Sequence, residues 1–433
     1  MELTKGKLMT PTATSGVAGQ AKTRASAFID KARLWDRHAA MAKLGGTPNG
    51  GVTRLALSTE DIQARELLRD WAHALGFEFA MDDIANVYIR RHGRRDDLPP
   101  VMTGSHIDSQ PKGGRFDGIY GVLAGVEALQ AIDEADIQTE RSIEVIGWTN
   151  EEGARFEHSL MGSKAFAFPD RLESLRAIKD RAGITVGEEV DRAWRTLSGV
   201  QRRPFGTSPY AYIEAHIEQG PIMESKGKQV GIVTGIQGWR RFVVRIEGES
   251  AHAGTCPQAN RKDALMAATR VVTALSELMA DPDDVVRFTV GRFNVLPNSL
   301  AVVPSTVEFT IDFRHPSEEV LTDRGDQIQG LLERNAAPCT TTLTEISREK
   351  PIHFEDDAFL AVRDAAAALP IPQMEILSGA GHDAQNMHKL CSTSMIFVPC
   401  ERGISHNEAE NATPEDLAAG AQVLADALVR LAG

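Results

Sequence analysis

The chain has 433 residues, 42% of them apolar and 25% charged, a soluble globular balance over a length that exceeds one ordinary core. Its net charge of −13 offers no basic footprint for a nucleic-acid backbone. No stretch reaches the roughly 20 uncharged apolar residues of a membrane span, and the scattered Cys256, Cys339, Cys391 and Cys400 read as reduced cytoplasmic thiols.

Residues 1–22 are small, polar and proline-bearing, and read as a loose arm without the apolar core of a signal peptide. A helix is expected over 27–44, ended by Gly45-Gly46. In the next helix Ser58 and Asp61 suggest a capping box, Ala64, Leu67, Leu68, Trp71 and Leu75 form a stripe, and Gly76 stops it. Strands are expected over 77–81, 86–90 and 101–104, a helix over 119–134, then strands over 142–149 and 210–215. This alternation predicts a doubly wound α/β fold.

From Gly238 the rhythm changes. A strand over 241–247, a helix over 261–280, strands over 286–293 and 306–314, a helix over 317–337 and a strand over 340–346 spell βαββαβ. That is the ferredoxin-like α+β order, and it predicts a small domain at 238–350 inserted between catalytic segments 23–237 and 351–433. After Pro351 come a helix over 356–369, a strand over 394–398, and a last helix capped by Thr413 with Pro414 in its first turn and Asp416 three residues on.

The chemistry gathers at strand ends. In VMTGSHIDSQPKGGRFDG an apolar strand stops in Thr103-Gly104-Ser105 and then delivers His106 and Asp108, and Asp117 stands directly before a helical pattern. The strand over 142–149 ends in Asn150-Glu151-Glu152-Gly153, and that over 210–215 runs into His216. His406 lies in the loop after the strand over 394–398. Taken singly, each is more simply a hydrogen-bonded histidine, an N-cap or a solvated acid. Together, three histidines and two carboxylates at one sheet edge suit two zinc-like ions with one carboxylate bridging. Adjacent Glu151 and Glu152 point different ways, so one can bind metal while the other meets the attacking water. Asp108, two residues past His106, fits an acid that orients a ligating imidazole.

The strings TGSHIDSQPKGGRFDG, TNEEGARF, EAHIEQGP, SGAGHDA and GISHNEAE resemble the amidase/hydantoinase/carbamoylase branch of the dizinc aminoacylase and carboxypeptidase superfamily. The resemblance implies a dizinc-peptidase-like catalytic domain with an inserted lid that also dimerises. It implies that His106, Asp117 and His216 serve one divalent ion, and that Asp117, Glu152 and His406 serve the other. Zinc leads, with manganese, cobalt or nickel as alternatives. Glu151 matches the general base, and Gln219, beside His216, offers an amide to a ureido group. Arg314 suits a substrate carboxylate. His252 and Asn298 match residues that reach the active site across a homodimer, the histidine helping to stabilise the oxyanion. Gly381, His382 and Asp383 match active-site lining. Cys256 and Gln258-Ala259-Asn260 depart from the family's usual HAGTTP region.

The implied reaction is hydrolysis of the ureido C–N bond of an N-carbamoyl amino acid. Allantoate hydrolysis shares nearly every motif, a dipeptidase or aminoacylase is disfavoured by His216, and a non-catalytic binding protein would have no need of Glu151.

Overall fold

The computed structural model describes residues 24–433; the segment 1–22 expected as a loose arm lies outside the described residues. Its centre is four adjacent parallel strands, in the order Ser392–Val398, Ala211–Ile217, Val101–His106 and Ile143–Trp148. Nearly all their residues are buried, as expected of strands covered on both faces. Shorter or antiparallel strands extend this into a mixed ten-stranded sheet. The helices Ile119–Glu134 and Pro414–Ala432 pack against each other and into the same hydrophobic core.

Parallel neighbours place their carboxyl ends along one edge. His106 closes one strand, His216 stands one residue before the end of the next, Glu151 and Glu152 follow Trp148, and the loop after Val398 carries His406. The site is therefore a product of strand order.

A second, five-stranded antiparallel sheet comes wholly from residues 238–349. Its helices Ala264–Leu278 and Glu318–Ala336 pack on each other over a core separate from the first.

Several elements differ from expectation. The helix over 27–44 is a 3-10 turn, Ala25–Phe28, followed by Lys31–Met41, because Asp30 accepts the N–H groups of Ala32 and Arg33 and starts the helix there. Ser58 caps Thr59–Ala74, but Asp61 does not complete a capping box. Its carboxylate takes the Leu57 N–H and the Arg65 guanidinium instead. The strand over 286–293 is two pieces, Arg287–Thr289 and Phe293–Leu296. Strands Val230–Ile236 and Gln373–Ser378 and helices Met161–Ala167 and Val186–Thr196 were not expected.

Candidate metal centre

His106, Asp117 and His216 bring three ligand atoms within 4.8 Å of one another, and Asp117, Glu152 and His406 do the same. Asp117 belongs to both groups. Its Oδ1 lies 3.3 Å from His216 Nε2 and 3.8 Å from His106 Nε2, and its Oδ2 lies 3.2 Å from His406 Nε2. Glu152 Oε2 stands 3.5 Å from the same nitrogen of His406. Donors about 2.0–2.1 Å from one tetrahedral zinc-like ion stand roughly 3.3 Å apart, so both groups fit such ions, with Asp117 between them.

Backbone carbonyls orient two of the imidazoles. His106 Nδ1 faces the carbonyl of Asp108 at 2.8 Å and His216 Nδ1 that of Ile217 at 2.9 Å, which leaves both Nε2 atoms toward Asp117. Gly118 opens the helix after Asp117 with φ +68°, and a Cβ there would lie about 2.2 Å from the His106 ring. Burial alone would raise the Asp117 carboxyl, but hydrogen bonds from His216 and His406 outweigh it and hold it well below the usual range.

Glu151 sits on the His106 side, its Oε2 3.6 Å from His106 Nε2. Burial, then the charges of Asp383, Glu152, Asp108 and Asp117, push its carboxyl well above the usual range. Glu152 is pushed up to about 8, by burial and then by Asp117. A cluster of acids this enclosed favours either protons or cations.

Asp108 acts differently from expectation. The atom that meets the His106 ring is its backbone carbonyl. Its carboxylate turns away and accepts the backbone N–H groups of Glu151 at 3.1 Å and Glu152 at 3.3 Å, tying the strand end His106–Asp108 to the loop that carries both acids.

The candidate metal ligands and Glu151 line one cavity of about 450 Å³. Gln219, Arg314, Gly381 and His382 line it as well. The Gln219 amide nitrogen reaches Asp117 Oδ2 at 3.1 Å, so it already faces the centre. His382 is buried, with Nε2 3.0 Å from Ser378 Oγ and its ring edge-on to His216. Arg314 crosses from the smaller sheet to the Gly379 carbonyl at 2.9 Å. His252 and Asn298 are exposed and do not line this cavity within one chain.

Sequence reasoning missed several contributors. Gln110 donates to Glu152 Oε2 at 2.8 Å, and buried Glu410 accepts the N–H of Asp117. Buried Glu214 accepts Ser105 Oγ at 2.7 Å and the Ala384 N–H at 2.8 Å, beneath His216. Trp239 and Arg241 line the cavity from the smaller sheet. Strand alternation could have found Glu214, two residues before His216 on the same face. Glu410 closes the GISHNEAE string, so the resemblance covered its position without giving it a role.

The match to known proteins covers the same elements. The family model Peptidase family M20/M25/M40 matches residues 102–430. An N-carbamoyl-L-amino-acid amidohydrolase of Rhizobium meliloti is 37% identical over 93% of this chain and 97% of its own. An allantoate amidohydrolase of Bacillus subtilis is 32% identical over 90% of this chain and 95% of its own. A solved amidase of the hydantoinase/carbamoylase family from Burkholderia multivorans superposes with a TM-score of 0.86, at 45% identity over 93% of this chain and 98% of that one. The chain thus belongs to peptidase family M20/M25/M40 and, within it, to the hydantoinase/carbamoylase amidases.

Proposed function

We propose that this protein hydrolyses the ureido C–N bond of N-carbamoyl-L-amino acids, releasing the amino acid, ammonia and carbon dioxide. The observation that carries the reading is the pair of donor groups sharing Asp117, with Glu151 beside them as an acid left over for proton transfer. The relatives named as N-carbamoyl-L-amino-acid amidohydrolases support the choice of substrate.

His106, Asp117 and His216 would hold one divalent ion and Asp117, Glu152 and His406 the other, zinc being the first choice for this donor set. When bound, such ions supply Lewis acidity that lowers the pKa of water toward about 7 and polarises the carbamoyl carbonyl. Glu151 takes the proton from the attacking water as oxygen bonds to the carbamoyl carbon. It then returns that proton to the amino nitrogen as the C–N bond breaks, and the carbamate left behind falls apart to ammonia and carbon dioxide. Gln219 holds the ureido group, Gly381 and His382 line the substrate, and Arg314 holds the α-carboxylate.

Residues 238–350 act as a lid, and closure brings Arg314 to the centre. His252 and Asn298 complete the site from the second subunit of a homodimer, His252 donating to the oxyanion. Four free cysteines fit a cytoplasmic reaction. None of the described helices is long and apolar enough to cross a membrane.

The test is ammonia release by protein reconstituted with zinc, manganese, cobalt or nickel, offered N-carbamoyl-L-α-amino acids, N-carbamoyl-β-alanine and allantoate in parallel. Preference for an N-carbamoyl-L-α-amino acid supports the reading. Preference for allantoate keeps the mechanism and replaces the substrate. No turnover with metals bound overturns it.

A further inference from the structure

A second cavity, about 770 Å³, opens beyond the metal centre and shares Gln219, Arg241, Arg314 and Ala380 with it. It is wide enough for a substrate side chain of several carbons. Its charged lining is uneven. Arg241, Arg287 and Arg314 contribute three guanidinium groups, against Asp312 and Glu218. Glu218 is spent on the backbone, its two oxygens accepting the N–H groups of Ile222 at 2.8 Å and Met223 at 2.9 Å.

Strand register explains how the arginines come together. Along Gly238–Glu247 successive side chains take opposite faces. Arg240 turns to the far side, where Glu345, Asp326 and the Leu321 carbonyl occupy it. Arg241 turns to the cleft, directly opposite Asp312, and Arg314 is opposite Trp239 on one side and Arg287 on the other. Like charges directly opposite each other weaken a strand pair unless an anion lies between them. Among the described residues Arg287 pairs only with the exposed Asp284.

The two guanidinium groups nearest the centre are held differently. Arg314 commits Nε and Nη2 to Asp312, at 3.0 and 3.2 Å, and Nη1 to the Gly379 carbonyl. Arg241 commits only Nε, to Asp312 Oδ2 at 2.7 Å, and its terminal nitrogens make no hydrogen bond among the described residues. Trp239 lies beneath both, its ring centroid 5.1 Å from Arg241 Cζ and 5.9 Å from Arg314 Cζ. An arginine oriented through Nε by Asp312, its two terminal nitrogens without a hydrogen bond among the described residues, at the wall of a substrate cavity, suits a carboxylate.

We propose that Arg241 is a specificity-determining residue that receives a second anionic group, so that the favoured substrates are N-carbamoyl amino acids with a side-chain carboxylate. This rests on the reading above, in which Arg314 takes the α-carboxylate. The α-carboxylate then meets Arg314 and the side-chain carboxylate meets the terminal nitrogens of Arg241.

The experiment compares kcat/KM for N-carbamoyl-L-glutamate, N-carbamoyl-L-glutamine and N-carbamoyl-L-methionine. The first two differ in charge at nearly constant shape. The expected result is a glutamate-to-glutamine ratio of about tenfold or more, the scale of one charge-assisted hydrogen-bonded contact. In Arg241→Gln the ratio falls to about one, while Arg241→Lys, which keeps the charge but not the fork, retains part of the preference. A wild-type ratio near one overturns the proposal without any variant, as does an R241Q protein that keeps the wild-type ratio. Turnover of the methionine and glutamine derivatives without preference for glutamate removes this proposal alone. No turnover of any of the three removes the functional reading with it.

Discussion

Glu410 accepts the backbone N–H of Asp117 at 3.1 Å, and Ser405 Oγ stands between the two carboxylates, 3.2 Å from Asp117 Oδ2 and 3.0 Å from Glu410 Oε2. Glu410 also accepts the Phe116 N–H at 2.9 Å. The one carboxylate shared by both donor groups is thus gripped from behind by a buried acid three residues before Thr413, the N-cap of the last helix. Removing such support typically costs about 10–100-fold in metal affinity. Glu410→Ala is expected to weaken zinc binding on that scale in a chelator competition. Glu410→Gln, which keeps one acceptor oxygen, is expected to weaken it less. Unchanged affinity in both would reduce Glu410 to packing.

Glu151 is the acid that neither donor group needs. Glu151→Gln preserves shape and removes the basic oxygen. It is expected to lower kcat by about 10²–10⁴-fold, the usual worth of a general base, with metal content close to wild type. Activity and metal lost together would make Glu151 a ligand or a scaffold instead.

Asp108 separates the two halves of the centre. His106 is oriented by a backbone carbonyl and does not depend on the Asp108 carboxylate, whereas the loop bearing Glu151 and Glu152 does. In Asp108→Ala the N–H groups of Glu151 and Glu152 lose their acceptor. Metal analysis of this variant should show a stoichiometry falling from two toward one, the ion of His106, Asp117 and His216 remaining. A stoichiometry of two with full activity would contradict the tether.

What was legible beforehand was whatever has a short-range signal. His106 and Asp117 stand where an apolar run meets glycines and a helix, and Thr413-Pro414-Asp416 announces the last helix. Strands Val230–Ile236 and Gln373–Ser378 were not legible. Gly231 and Gly235 interrupt the first and Gln373 and Glu375 the second, and what makes them strands is pairing with each other from far apart in the chain. Glu410 and Arg241 look like ordinary surface residues until the chain folds one against Asp117 and the other across from Asp312. The Asp108 expectation erred because sequence names a side chain and the fold used the carbonyl of the same residue.

The acids and histidines of the centre also set a pH dependence. Without metal, burial and then Asp117 push Glu152 up to about 8. His406 rises to about 9, chiefly through its hydrogen bond to Asp117, and His216 reaches about 9 because the same partner outweighs burial. In the unfolded chain these groups have lost their protons by about pH 7. Between pH 7 and 9 the folded, metal-free protein therefore holds more protons than the unfolded one, and its stability falls as pH rises. His38 and His106, depressed by burial to about 3 and about 4, are neutral in both states across this window and add nothing. Cys391 and Cys400, raised to about 12 by burial, lie outside the centre and act alike with and without metal. Bound ions take the place of those protons. The gap in Tm between zinc-loaded and chelator-treated protein should therefore widen steadily from pH 7 to pH 9. A gap that stays constant or narrows would mean that these side chains do not share their protons with the metals.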